Sequence, residues 1–346
     1  MATIQKIKTI IRKSIAFPIY KSSIPRFFHR GQVLILMYHR VLSDNETIEP
    51  WLQPGMYVKE SVFRMHLKFL LSYSQVISFS EFLKRWSEND WDKNGRYSII
   101  TFDDGWKDNY IYAFPVLKRY NLPATIFLTT NYIGTNKWFW PEKIGYLFWK
   151  KENDITAEQI DKIIGVIKRF SEKEIETFIG TLQEEFGISL PKKRLLLNWE
   201  EIKEMSKYNI SFGFHTANHR ILTRLSQKEI INEINPPSTL KETNFVPVFS
   251  YPNGEYNLEV ENLLKEMGFE AAVTTKKGWI KPGKDSLFSL KRTGIHQDIS
   301  FTPSLFNFSH FNKITNTIDA TRRSKNAKNF HSYKYSLFNN HFYCFS

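Results

Sequence analysis

Short apolar runs of β-like composition alternate with helical patterns along most of this 346-residue chain, and no other feature limits its fold more. Strands and helices in alternation are typical of a parallel sheet with crossover helices, and eight repeats are enough to close a (β/α) barrel. The predicted strands are residues 33–39, 76–79, 98–104, 124–130, 210–215, 245–252, 270–275 and 289–295. Helical patterns lie between most of them, and two more, at about 157–170 and 172–186, fall in a long insertion at about 138–197.

Polar residues that can bind a metal ion or transfer a proton collect at the C-terminal ends of these predicted strands. In a barrel of this kind the active site lies at that end of the strands, on the loops that follow. The residues at those ends are His39, Asp103, Asp104, His215, Asn253 and His296. We therefore expect these side chains to share one site.

Two strings at distant strand ends suit a divalent metal ion: TFDDG at residues 101–105 and HTANH at residues 215–219. One carboxylate and two imidazoles suit a borderline ion such as Zn²⁺ and leave a coordination position open to water. The second carboxylate stays free to act as a base, which completes the equipment of metal-assisted hydrolysis. On its own, a His-x-x-x-His pair is more typical of a solvated helix face, and the Asp-Asp-Gly string is what favours a metal site.

These strings together closely resemble the polysaccharide deacetylases, carbohydrate esterase family 4, also called the NodB-homology domain. Three further strings resemble parts of that family. LMYHRV at 36–41 resembles its first strand, and NWEEI at 198–202 resembles the helix that leads into the histidine motif. FSYPNG at 249–254 resembles its third motif. The resemblance covers roughly residues 32–297. It implies a distorted or incomplete (β/α) TIM-like barrel, predicted here as a domain over residues 32–312.

The resemblance also implies roles for the residues of the first two motifs. Asp104, His215 and His219 would hold one divalent metal ion, which is Zn²⁺ on chemical grounds, with Co²⁺, Ni²⁺ or Fe²⁺ as alternatives. Asp103 would be the general base of acetamide hydrolysis. Gly105 would give the chain the freedom to turn both carboxylates towards the site.

The third motif departs from the family pattern. Its match implies that the backbone N–H of Asn253 stabilises an oxyanion and that Tyr251 contacts the substrate. Trp106, Trp138 and Trp140 are candidates to line a sugar site, although aromatic residues more often belong to the core. The family's arginine, which orients the catalytic aspartate, is replaced here by Ser250. The sequence therefore predicts that Asp103 lacks its usual cationic partner.

A general acid is also required, because an amine leaves poorly unless it is protonated. His296 follows the last predicted strand, where the family places such a histidine, but the residues around it do not match the family's Leu-x-His pattern. His39 follows the first predicted strand and is the rival candidate. Both remain open at this point, and a structural role is equally compatible with either.

The chain is basic, with 48 Lys and Arg residues against 35 Asp and Glu and a formal net charge of +13. Such a charge attracts acidic glycans, anionic membrane surfaces or nucleic acids, and the sequence contains no recognisable nucleic-acid module, so no nucleic acid is expected. Residues 1–31 predict a basic amphipathic helix that suits an anionic membrane face, or equally a helix packed on the barrel. Residues 313–346 predict a basic, loosely ordered tail.

The only cysteine, Cys344, leaves no intrachain disulfide and no thiolate metal site. The apolar stretch 14–20 is short, contains Pro18 and precedes no small-residue cleavage site, so it does not resemble a signal peptide. No transmembrane span is expected either, since no apolar run near the start approaches the ~18 residues that one needs. These features predict a cytoplasmic protein, or one peripheral on the cytoplasmic membrane face.

The leading hypothesis is a metal-dependent hydrolase that removes acetyl groups from N-acetylated amino sugars of a surface polysaccharide or its precursor. The alternative is a catalytically inactive barrel that binds a glycan or a membrane surface. The altered third motif favours the alternative, whereas the intact first two motifs oppose it. A third hypothesis is a basic peripheral protein recruited through its termini.

Overall fold

A computed structural model describes residues 29–152 and 154–311 of this chain. The predicted basic N-terminal helix, with its apolar positions between residues 4 and 15, lies outside the described residues, as does the predicted tail at 313–346. Residues 29–303 form one compact unit. Within the described residues, no helix combines the length and the apolar character that a membrane span requires.

Strands and helices alternate through the described residues as predicted, and all but the last helix lie within this unit. The strands are β1 (Gln32–Tyr38), β2 (Arg40–Leu42), β3 (Tyr57–Lys59), β4 (Gln75–Val76), β5 (Arg96–Phe102), β6 (Ala124–Leu128), β7 (Ile210–Phe214), β8 (Phe245–Ser250), β9 (Ala271–Val273) and β10 (Thr293–Gly294). The helices are α1 (Glu60–Tyr73), α2 (Phe79–Glu88), α3 (Phe114–Tyr120), α4 (Trp140–Lys151), α5 (Ala157–Ile167), α6 (Glu172–Phe186), α7 (Trp199–Met205), α8 (Gln227–Ile234), α9 (Ser238–Lys241), α10 (Leu258–Glu266), α11 (Gln297–Ser300) and α12 (Pro303–Phe311).

The main sheet has eight strands in the order β10-β1-β5-β6-β7-β8-β9, and β4 pairs with the first half of β5. All of its strand pairs are parallel. These are the eight strands that the apolar runs predict. Strands of a parallel sheet are covered on both faces, so they read as continuous apolar runs, and in β5 every residue after Arg96 is buried.

A short stretch before β10 joins the two edges of this sheet. The Leu290 amide donates to the Ala272 carbonyl of β9 at 3.0 Å, and the Leu290 carbonyl accepts the Thr274 amide at 2.9 Å. Three residues later, Thr293 pairs with Leu36 of β1. The sheet therefore curls round until its first and last strands share one segment of chain, which confirms the distorted TIM-like barrel.

The segment between β6 and β7 holds the predicted insertion. Its helices α5 and α6 agree with the sequence patterns at 157–170 and 172–186, whereas α4 was not predicted. After α6 the chain returns to the barrel, where Leu196 forms an antiparallel bridge with Trp106. The Leu197 amide also donates to the Gly105 carbonyl at 2.8 Å. The end of the insertion thus lies directly beside the TFDDG string.

Candidate metal centre

The register of the parallel strands aligns the residues that follow them. Tyr38 of β1 pairs with Phe102 of β5. Leu128 of β6 pairs with Phe214 of β7, and Phe214 pairs in turn with Phe249 of β8. The polar residues that follow β1, β5, β7 and β8 therefore lie along one edge of the barrel.

Asp104, His215 and His219 each offer one ligand atom, and these atoms all lie within 4.8 Å of one another. The Nε2 atoms of His215 and His219 lie 3.4 and 3.5 Å from Oδ1 of Asp104. That oxygen is buried and has no hydrogen-bond partner among the described residues. A buried carboxylate oxygen without a donor is costly, and a cation held with the two imidazoles would satisfy it. The three residues therefore fit a divalent metal ion.

Neighbouring groups orient these ligands. The indole Nε1 of Trp106 donates to Oδ2 of Asp104 at 2.8 Å, which leaves Oδ1 towards the histidines. Nδ1 of His215 lies 2.6 Å from the Ser250 carbonyl oxygen. Because a carbonyl only accepts, Nδ1 carries the proton, and the lone pair of Nε2 is free to face a metal ion.

The backbone is strained at this edge. Asp104, Thr216, His219 and Asn253 have φ angles of 76°, 67°, 61° and 59°, in the left-handed region that residues with a side chain rarely adopt. The Thr216 hydroxyl accepts the His219 amide at 2.7 Å and closes the loop between the two histidines. Each such residue costs about 1–3 kcal/mol, and this kind of strain clusters at functional sites.

Asp103 has a cationic partner that the sequence did not reveal. Nη1 and Nη2 of Arg292 donate to Oδ1 and Oδ2 of Asp103, both at 2.7 Å, and the arginine side chain is fully buried. Ser250 joins the pair, since its hydroxyl accepts from Nη2 of Arg292 at 3.0 Å and donates to Asp103 at 3.4 Å. The prediction that Asp103 lacks its usual partner is therefore wrong, because a guanidinium reaches it from the segment before β10.

This ion pair sets the charge of Asp103. Burial alone would raise the pKa of this carboxyl group, but the charge and hydrogen bonds of Arg292, with His215 and His39 nearby, lower the pKa below its ordinary value. Asp103 is therefore a carboxylate at neutral pH, and its lone pairs can accept a proton.

The two candidate acids lie at adjacent strand ends, because β10 pairs with β1. His39 is close enough to lower the pKa of both Asp103 and Asp104, and its carbonyl accepts a hydrogen bond of 2.8 Å from Nδ2 of Asn109. The ring of His296 contacts Asp298 through Nδ1, and its carbonyl accepts from the Ser300 hydroxyl at 2.6 Å.

Of the residues predicted to contact the substrate, Trp106 and Tyr251 are buried and Asn253 is exposed. Trp106 and Tyr251 are 1% and 0% exposed, and the Tyr251 hydroxyl donates to the Phe288 carbonyl at 3.1 Å. Their rings therefore offer no face to a sugar, and they support the site from within, which corrects the expectation of substrate contact. Asn253 is exposed, and its carbonyl accepts from the Thr275 hydroxyl at 3.3 Å.

Glu142, in the first turn of α4, is a buried acid of 5% exposure that the ligand set does not use. Burial is the main cause that raises its pKa to about 7, and Asp104 adds to the effect. The folded state therefore binds this proton more tightly than the unfolded state. Stability falls as pH rises from the ordinary pKa of a glutamic acid to about 7 and stays lower above that.

Glu142→Gln is expected to raise the free energy of unfolding by about 1–3 kcal/mol at pH 8 and by clearly less at pH 5, just above the ordinary pKa of a glutamic acid. Denaturant unfolding of both proteins at the two pH values measures this difference. Glu184→Gln, at an exposed position of α6, is the matched control and should show no pH-dependent gain. An equal gain at both pH values would contradict the shifted pKa.

The family model described as "Polysaccharide deacetylase" matches residues 91–272, slightly more than half of the chain and the part that contains all three candidate ligands. The chain belongs to the polysaccharide deacetylase family.

Individual relatives share only a modest part of their sequence with this chain. YxkH of Bacillus subtilis (strain 168), a protein named for the same family, is 26% identical over 247 residues, which span 70% of this chain and 64% of YxkH. A poly-β-1,6-N-acetyl-D-glucosamine N-deacetylase of Staphylococcus aureus (strain MSSA476) is 22% identical, with 75% of this chain and 78% of that protein covered. The solved structure of the Streptococcus pyogenes deacetylase PplD superimposes with a TM-score of 0.55 at 21% identity, covering 81% and 98% of the two chains, and supports the fold.

Proposed function

We propose that this chain is a metal-dependent hydrolase that removes acetyl groups from N-acetylated amino sugars of a surface polysaccharide or its precursor. The observation that carries the proposal is the Asp103–Arg292 ion pair beside the Asp104, His215 and His219 set. It holds a charged base next to three ligands with the geometry of a metal site. A barrel that only bound a glycan would have no use for a buried, charged base in this place.

The substrate class is proposed from relatives. Curated relatives from two Staphylococcus species are named poly-β-1,6-N-acetyl-D-glucosamine N-deacetylases. We infer that a polymer of β-1,6-linked N-acetylglucosamine, or a closely similar glycan, is the substrate of this chain. The bond broken is then the amide bond between the acetyl group and the amino sugar.

Asp104, His215 and His219 would hold the metal ion, with Zn²⁺ favoured by one oxygen and two nitrogen ligands, and Co²⁺, Ni²⁺ or Fe²⁺ as alternatives. When bound, such an ion polarises a carbonyl group and makes a neighbouring water more acidic. Asp103 accepts the proton of the attacking water at its carboxylate. The Asn253 backbone N–H donates to the acetyl oxygen as negative charge develops there.

A protonated imidazole then donates its proton to the departing amine. His39 lies close to both aspartates, and His296 follows the adjacent strand, so both remain candidates for this step. The inactive glycan- or membrane-binding alternative depended on the altered third motif. Arg292 now supplies the guanidinium that the motif lacks, and that argument no longer holds.

Contact with a membrane surface is a separate proposal and depends on the sequence alone. Residues 1–28 contain six Lys and Arg residues and no acid. Such a segment is attracted to anionic lipid headgroups, and the attraction weakens with salt. The full-length protein should sediment with vesicles that contain anionic lipid and not with neutral vesicles; equal binding to both would contradict the proposal.

The test of the proposed function compares the wild type with Asp104→Ala and His215→Ala. We expect near-stoichiometric zinc in the wild type, little in either variant, and acetate release from a β-1,6-linked N-acetylglucosamine oligomer only by the wild type. Asp90→Ala removes an exposed carboxylate elsewhere and should change neither quantity. Absence of metal from the wild type after reloading with zinc would overturn the proposal.

A further inference from the structure

The loop that carries both histidines is held by a helix that the sequence analysis did not predict. Helix α8 ends beside this loop, and Glu233 in its last turn is 3% exposed. Oε2 of Glu233 accepts the Asn218 amide at 2.8 Å, and Oε1 accepts Nδ2 of Asn218 at 2.7 Å. The Glu233 carbonyl accepts the Ala217 amide at 2.9 Å. One residue therefore holds two consecutive positions between the histidines.

The chain after β6 holds the same loop from its other side. The amides of Thr130 and Asn131 donate to the carbonyls of Thr216 and Ala217 at 3.3 and 2.9 Å. Nδ2 of Asn131 donates to Oδ1 of Asn218 at 2.9 Å. Asn218 is thus held by two side chains, Asn131 and Glu233, and only Glu233 carries a formal charge.

The loop needs such contacts because of its backbone. Thr216 and His219 both have φ angles in the left-handed region. Conformations of this kind persist only when the surrounding structure fixes them. If the contacts to Asn218 were lost, the loop could relax, and the imidazole of His219 would move away from Asp104.

The charge of Glu233 also requires an explanation. A buried carboxylate is normally paired with a cation, but in the part of the chain that the structure describes Glu233 has no ion pair, and its side-chain donors belong to Asn218. A glutamate in that position costs more than an apolar residue would. Its two parallel acceptors match the two donors of Asn218, a match that no neutral side chain reproduces.

We infer that Glu233 is a positioning residue of the metal centre, which acts through Asn218 to fix the orientation of His219 and thereby sets the metal affinity. This inference depends on the proposed metal site. Outer hydrogen bonds that orient metal ligands typically contribute 10- to 100-fold to metal affinity. Among the described residues, Glu233 forms its hydrogen bonds to this loop with Ala217 and Asn218 and not with the candidate ligands, so its effect must be read on the metal.

The experiment is a zinc titration against a chromophoric chelator, with the Co²⁺ absorption spectrum as a second readout. Glu233→Gln keeps the size of the side chain but turns one acceptor into a donor that opposes an Asn218 donor. We expect its Kd for zinc to rise by about 10- to 100-fold and its Co²⁺ bands to shift. Glu266→Gln, an exposed position of α10, is the matched control and should resemble the wild type.

Asn218→Ala keeps the test decisive if Glu233→Gln fails to fold, because Asn218 is exposed and its removal leaves no cavity in the core. It should weaken zinc binding several-fold and shift the Co²⁺ bands in the same direction. Circular dichroism of the metal-free proteins checks their folding. Wild-type zinc affinity and an unchanged spectrum in the folded variants would overturn this inference alone. A wild type that binds no zinc would overturn it together with the proposed function.

Discussion

Replacement of Asp103 by asparagine is expected to slow acetate release by about 10²- to 10⁴-fold and to leave bound metal unchanged. Asparagine keeps the size of the side chain but has no carboxylate to accept a proton from water. The position is 3% exposed, so bulk solvent cannot easily take over that role. Initial rates of acetate release and metal content per chain, measured on the same folded sample, test the prediction.

Asp104→Asn is the matched control, because the same chemical change is made one residue further along. This variant should lose its metal as well as its activity, since Oδ1 of Asp104 is the oxygen that faces both imidazoles. The contrast between the two variants separates a base from a ligand. Loss of metal from Asp103→Asn, or a rate equal to that of the wild type, would show that the roles are assigned wrongly.

Arg292→Met is expected to lower the free energy of unfolding by about 3–5 kcal/mol. The guanidinium is fully buried and donates to Asp103, to Ser250 and, through Nε, to the Thr274 carbonyl at 3.0 Å. Its removal leaves the buried carboxylate of Asp103 without a cation. Denaturant unfolding at neutral pH measures the loss.

The double variant Asp103→Asn/Arg292→Met tests the cause of that loss. Once the carboxylate is gone, the missing guanidinium should matter less, so the double variant should be more stable than the sum of the two single losses predicts. The coupling free energy from this cycle should reach about 1–3 kcal/mol. Strict additivity would mean that the pair contributes through packing and not through its charges.

The central strands of the main sheet could be predicted because they are covered on both faces. β5, β6 and β7 are almost wholly buried and rich in apolar residues, and the predicted boundaries differ from the observed ones by only a few residues. The short strands β2 and β3 could not be predicted, since three residues carry no measurable period. Helix α8 is only eight residues long. The capping box formed by Ser226 and Glu229 is the one feature of the sequence that indicates where it begins.

The candidate site was predictable where its chemistry is local. TFDDG and HTANH each place their residues within five positions, and the ends of β5 and β7, with only β6 between them, bring the two strings together. The Arg292–Asp103 contact spans 189 positions, and no local pattern encodes it. The available signal was Arg292 within the last predicted strand, because a charge predicted to be buried needs a partner. Glu233 escaped notice for the same reason, as its partner lies on another element.

A sequence motif identifies a residue but does not show whether its side chain is buried or exposed. Trp106 lies two residues after Asp104, yet its ring is buried beneath Arg40, whose guanidinium carbon lies 4.6 Å from the ring centroid. Its polar end, and not its face, contacts the site. Only packing could decide between those two uses of an aromatic side chain.

The closure of the barrel has a consequence for the order in which the site is built. The three candidate metal ligands are all present once residue 219 has been synthesised, but the groups that orient them come later. Ser250 contacts His215, Glu233 holds the loop of His219, and Arg292 lies in the segment that links β9 to β1. Domains generally fold as units, so a nascent chain would hold neither the candidate ligands nor the charged base in place until that last segment is available. Competence for hydrolysis therefore arrives with the final strand, when the last part of the barrel to leave the ribosome pairs with the first.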